Sequence, residues 1–174
     1  MKVTLLWCTD PTAIRAVLER FQTDVPNEKL KEHIIYMFEI EDVSRVTTHQ
    51  LIRHRLASYD QESQRFSAAS RESFVIPPSI QSKPEAARIY EESLKASSEA
   101  FERMVALGVP KEDARYVMPH AIKTKLVMTL SAYSLEHIAE LRTAPQAQWE
   151  IRELVTQMKR AAIEATPSLW DIGY

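Results

Sequence analysis

The chain has 174 residues, 45% of them hydrophobic and 26% charged, with a formal net charge of −2. That length and balance suit one globular domain over residues 1–174 and exclude a disordered chain. A near-neutral charge argues against binding a long nucleic-acid polymer, which calls for a basic domain. No apolar run approaches the roughly 20 residues that span a bilayer.

The run KVTLLWC (Lys2–Cys8) reads as a short opening strand, with Trp7 a packing anchor and Cys8, the only cysteine, a buried structural thiol. The opening lacks the pattern of a secretory leader, so the cytoplasm is the expected compartment. Asp10-Pro11-Thr12 leads into a helix over about residues 12–21, with Pro11 near its first position. The stretch from His33 to Glu41 is rich in β-branched and aromatic residues and reads as a strand. Ser44 suits the cap of a helix running towards Arg55. After Ser58 no period is visible, which predicts a loop, and Pro77-Pro78 marks a break.

The clearest helix spans about 84–107, with Ala87, Tyr90, Leu94, Phe101 and Met104 on one stripe. Gly108 and Pro110 end it. A short helix follows near 111–117. Lys125–Ser131 reads as a strand and Ser134–Leu141 as a helix. A last helix, opened by Trp149, carries Ile151, Leu154, Val155, Met158, Ala161, Ala162 and Ala165 on one face and closes at Pro167. Strands and helices mix without regular alternation. The expected class is α+β, or irregular α/β, with a small, mostly antiparallel sheet packed with several long helices.

The chain holds only two glycines, Gly108 and Gly173. A Rossmann site or a P-loop needs clustered glycines to bring backbone against phosphate, so neither can form. Any bound phosphate must be held by side-chain cations. The stretch RHRLASYDQESQRFS (Arg53–Ser67) supplies them. If the helix reaches Arg53, His54 and Arg55, they stand about 100° apart and fan across its circumference. On local sequence alone a solvated helix end is the favoured reading of that run, because charge runs are usually solvated faces. Ser58, Gln61, Glu62, Ser63 and Arg65 add hydroxyl, amide, carboxylate and guanidinium groups. Together they can grip a nucleobase edge and a phosphate. Ser63 has no nucleophile elbow around it and reads as a hydrogen-bonding residue. The histidines lack metal-site spacing, so no metal is expected. His33 and His120 read as structural. His49 is placed to orient a neighbour, and Glu150 and Arg152 to form ion pairs.

Arg53-His54-Arg55, seven residues and then Ser63 resembles the RHR-x7-S signature of flavin-dependent thymidylate synthases. The whole run Ser44–Phe66 is similar to that family's helix and substrate loop. Ala114–Pro119 (ARYVMP) resembles its arginine-plus-proline segment, and Leu141–Arg152 (LRTAPQAQWEIR) its C-terminal motif. The resemblance implies a homotetramer with active sites between subunits. It implies FAD as cofactor, dUMP as substrate, and NADPH and 5,10-methylenetetrahydrofolate as co-substrates. Arg53, His54, Arg55 and His137 would then contact the flavin. Gln50, Gln61, Glu62, Ser63, Arg65, Arg115 and Arg142 would hold the nucleotide. Arg142 and Ser63 are the candidate catalytic residues, Arg142 by stabilising charge on the uracil carbonyl edge.

The N-terminal third departs from that pattern. Of a His-x-Ser/Thr-x-x-Glu-His motif only Glu32-His33 remains, with Asn27 and Lys29 at the earlier positions. Two alternatives therefore stay open: a C5-methylase of UMP, and a non-catalytic nucleotide-binding protein. The aromatic pair in SLWDIGY suits packing against a neighbouring subunit.

Overall fold

Alternation along two strands builds the centre of the sheet. Tyr36, Phe38 and Ile40 on β2 (Ile35–Ser44) and Leu126, Met128 and Leu130 on β4 (Lys123–Ser131) turn to one face and are buried. The computed structural model describes residues 1–21, 24–63 and 73–170. With β1 (Lys2–Cys8) and β3 (Ala57–Gln61), the strands form one antiparallel sheet in the order β1-β2-β4-β3. The α+β class is as expected.

Helices cover the buried face. They are α1 (Pro11–Leu18), α2 (Asn27–His33), α3 (Arg45–Leu51), α7 (Ala132–Arg142) and α8 (Trp149–Ala165). Ile151, Leu154, Val155, Met158 and Ala162 are the buried stripe of α8, as its period predicts. Each large side chain so buried contributes about 1.5–3 kcal/mol. Beside the sheet run α4 (Pro78–Gln81), α5 (Pro84–Ala106) and α6 (Lys111–Ala114). The 23 residues of α5 make a rod about 35 Å long. Leu94 and Phe101 are its buried residues; Leu94 packs in a second small cluster with Phe74 and Ile122. Gly108 takes φ +87° where the chain leaves α5, a conformation that favours glycine. Among the described residues no helix is long and apolar enough to cross a membrane.

The structure corrects several local expectations. Residues 27–33 form α2, which has no apolar period because Leu30 is its one buried apolar residue. Tertiary contact holds it instead: Lys31 Nζ lies 2.6 Å from Glu136 Oε1 on α7 and over the Trp170 ring. The strand after it therefore starts at Ile35 rather than His33. The expected loop after Ser58 is β3, an edge strand paired to β4 from Ala57↔Leu130 to Gln61↔Leu126. Its outward Ser58 and Asp60 hide the alternation and suit an unpaired edge. Trp7 is 54% exposed rather than a buried packing anchor, and Cys8 is half-buried. Trp170 packs within its own chain, stacked on Tyr36 at 6.4 Å.

Candidate active site

The site is built around α3. β2 loses register between Ile40 and Val43, where Asp42 takes φ +58°. Such a bulge re-aims a strand. Here it delivers Ser44 as the cap of α3, its Oγ accepting from Thr47 N at 3.2 Å. The buried carboxylate of Glu150 accepts from Ser44 N at 2.7 Å and from Ser44 Oγ at 2.5 Å. Glu150 is thus hydrogen-bonded, and Arg152 donates to Pro145 O at 3.0 Å. Among the described residues neither forms the expected ion pair.

The helix stops at Leu51, short of the RHR run. The Tyr59 hydroxyl, from β3, lies 2.9 Å from Leu51 O and 2.8 Å from His54 O, and its single proton is shared between these carbonyls. It fixes the bend between α3 and β3. Arg53, His54 and Arg55 therefore sit in a connection and do not fan around a helix. Arg53 and Arg55 are exposed, and His54 is half-buried. Neither arginine has a carboxylate partner among the described residues. Ile52 and Leu56 beside them are 47% and 71% exposed.

Two cationic centres result, one at the first turn of α3 and one past its C-terminal end. Arg45 and His54 lie nine residues apart, Arg45 opening the seven residues of α3 and His54 in the connection that follows them. At the C-terminal end, Arg142 Nε donates to His54 Nε2 at 2.9 Å. Burial, then the Arg142 guanidinium, then His137 lower the His54 pKa from its ordinary value, so the imidazole is neutral near pH 7. His137 is exposed, with Nδ1 4.0 Å from Glu140 Oε2.

At the N-terminal end, Arg45 Nη2 donates to Glu62 O at 3.1 Å, and its buried Nε has no partner. Its pKa is lowered by burial and then by the nearby Arg115 charge, with Glu62 acting the other way. Arg115 Nε donates to Glu112 O at 3.0 Å. The His49 and His120 rings sit 5.1 Å apart. Two guanidiniums close enough to repel, one with an orphaned N–H, form a centre suited to an anion. Sequence reasoning passed over Arg45. Its signal is position: the first turn of a helix disfavours a cation.

The remaining candidates are placed as follows. Gln61 Nε2 donates to Thr48 Oγ1 at 3.1 Å and Thr124 Oγ1 at 3.2 Å, which among the described residues leaves its carbonyl for a ligand. Gln50 Nε2 lies 3.4 Å from Val46 O. Glu62 is exposed and Ser63 half-buried. Arg65 lies outside the described residues. Gln61 and Glu62 border a hollow of about 270 Å³ with Glu39, Asp60 and Lys125. A larger hollow, about 470 Å³, lies along α8 and gathers none of the candidates. Among the described residues no cluster of His, Cys, Asp and Glu is placed to hold a metal ion.

The fold is α+β, with arginines gathered at two places around α3. The family model for thymidylate synthase complementing proteins matches residues 11–168, and the chain belongs to that family. It is 36% identical to a flavin-dependent thymidylate synthase of Geobacter sulfurreducens over 90% of this chain and 68% of that one. It is 42% identical to one of Pyrococcus furiosus over 76% of this chain and 56% of that one. The chain thus spans between half and about two thirds of these relatives' length. Its fold matches a solved UMP/dUMP methylase, PolB from Streptomyces cacaoi, bound with 5-Br dUMP. There the TM-score is 0.81 at 21% identity, over 97% of this chain and 92% of that one.

A flavin fits what the chain presents. Arg53 and Arg55 lack anionic partners among the described residues and stand beside exposed Ile52 and Leu56. Cations next to apolar surface match a cofactor with a pyrophosphate and a planar ring.

Proposed function

We propose that the protein methylates the uracil ring of dUMP at C5. In this reading the methylene group comes from 5,10-methylenetetrahydrofolate, and the two electrons that reduce it to methyl come from NADPH. C5 gains a bond to carbon and loses its hydrogen as a proton. FAD supplies the hydride-transfer chemistry when bound, so the protein has to supply orientation and electrostatics. Arg53, Arg55 and His137 would hold the flavin. Arg45, Arg115, Gln50, Glu62, Ser63 and Arg65 would hold the nucleotide, with the carbonyl of Gln61 as a further acceptor.

The observation that carries the reading is the fixed guanidinium of Arg142. Its Nε is spent on His54, and both Nη groups are without a partner among the described residues. C5 becomes nucleophilic as negative, enolate-like charge gathers on the uracil carbonyl edge, and forming the C5–carbon bond draws that charge back into the new bond. A preorganised donor at that edge contributes about 3–4 kcal/mol to the transition state. In a single chain the groups beside the Arg142–His54 pair stay open: Leu141 is 52% exposed and Leu56, two residues from His54, 71%. That exposure supports a homotetramer with active sites shared between subunits.

The test is turnover by FAD-loaded protein with methylenetetrahydrofolate and NADPH, with dUMP and UMP in parallel. Thymidylate is the expected product. Preference for UMP would transfer the reading to a ribonucleotide methylase. Protein that stays colourless after FAD and filtration, yet binds dUMP, would make it a nucleotide-binding protein without this chemistry.

A further inference from the structure

We infer that His54 acts as a positioning residue for Arg142: its neutral ring accepts at Nε2 and aims the guanidinium at the nucleotide, a task separate from binding flavin. The inference rests on the uridylate-methylase reading above.

The geometry sets the chemistry. Arg142 has only donors, so the 2.9 Å contact requires a lone pair on His54 Nε2. The ring proton must then sit on Nδ1. A protonated imidazole has no lone pair left and would repel the guanidinium. The contact therefore exists only while the ring is neutral.

The surroundings keep it so. The charged and titratable groups acting on the ring are Arg142 and His137, both on α7, and both oppose a further positive charge. Its chain neighbours Arg53 and Arg55 add cations on either side. From β3 comes the Tyr59 hydroxyl, bonded to the His54 carbonyl, which fixes the backbone beneath the ring. No carboxylate is bonded to the imidazole among the described residues. A guanidinium on a long, flexible stem loses much rotational freedom when its Nε is tethered. The tether leaves the two Nη groups as a pre-set fork.

Two substitutions test this. His54→Leu keeps bulk and removes the acceptor. His54→Gln offers an amide oxygen near the Nε2 position. His54→Leu should lower kcat by roughly 30–100-fold, since a misplacement of about 1 Å costs on that order. Flavin content and dUMP affinity should change by less than about threefold. His54→Gln should restore a large share of kcat. The wild-type pH profile should fall away on the acid side, below the ordinary histidine pKa of about 6.5, and that limb should vanish in His54→Gln. Loss of flavin from His54→Leu with kcat intact in the loaded fraction would return His54 to a cofactor contact and overturn the inference.

Nitrogen-15 NMR of labelled histidine in the purified protein gives a readout independent of turnover. The expected spectrum shows His54 with Nδ1 protonated and Nε2 bare at pH 7.5, and Arg142→Ala should raise its pKa. A protonated Nε2 overturns the positioning role even in an active enzyme. Absence of methylation with every uridylate, alongside the expected tautomer, would instead fault the functional reading and leave the contact standing.

Discussion

The Glu150 carboxylate on α8 holds both the backbone N–H and the hydroxyl of Ser44, the residue that caps α3. Glu150 is 2% exposed, as is Ser44. One buried acid thus joins the last long helix to the start of the site. Glu150→Ala leaves two buried donors unmatched at about 1–3 kcal/mol each. The urea midpoint should fall by the equivalent of roughly 3 kcal/mol. Glu150→Gln keeps one acceptor and should lose about half as much. Equal stability in all three proteins would show that the bond is not formed.

Tyr59 ties the other end of α3. Burial pushes its pKa from 10.0 up to about 12. Its folded pKa lies above the unfolded one, so its contribution is fully present below pH 10 and is lost as pH rises through about 12. Tyr36 and Tyr90 are also raised by burial and add to the same alkaline limb. The diagnostic is therefore a difference. Tyr59→Phe should be less stable at neutral pH, and its stability should decline less steeply above pH 10. Parallel curves for the two proteins would remove Tyr59 from the clamp.

Arg115→Ala should weaken dUMP binding about 10–100-fold, the equivalent of one lost charged hydrogen bond. Arg45→Ala should act in the same direction. Among the described residues Arg115 bonds to the Glu112 carbonyl at an exposed site, so the thermal midpoint of Arg115→Ala should stay put. Calorimetric titration with dUMP, with inorganic phosphate as competitor, reads this directly. Unchanged affinity in both variants would take the phosphate away from this centre.

The Tyr36 hydroxyl is 2.5 Å from Thr166 Oγ1, inside a core where Tyr36 is 0% exposed. Thr166→Val removes that partner from a buried hydroxyl, at a cost of about 1–3 kcal/mol. Trp170, whose Nε1 also donates to Thr166 Oγ1 at 3.3 Å, should report the change as a red-shifted emission. An unmoved emission and midpoint would place the C-terminal turn outside the cooperative core.

Much of this was legible in the sequence wherever burial imposes a period. The stripes of α8 and the alternation of β2 and β4 announced themselves because one face of each meets the core. Residues 27–33 and 57–61 did not, since partners far along the chain hold them: Glu136 for the first, β4 for the second. The end of α3 was hidden for the same reason. No local residue stops that helix, and Tyr59 reaches back from the next strand. At the site, motif spacing named Arg142 and His54 but not their bond, which joins residues far apart in sequence. Arg45 carried only the faint signal of a cation at the wrong end of a helix.

Both pins on α3 come from outside it, and one of them rides on a border strand with a single neighbour. Seven residues cannot sustain a helix unaided. Mild heating should therefore fray β3 first and let the spacing between the two arginine centres drift while the interior is still intact. Catalytic competence would then disappear several degrees before the bulk melting transition, so calorimetry alone would overstate the working range of the protein.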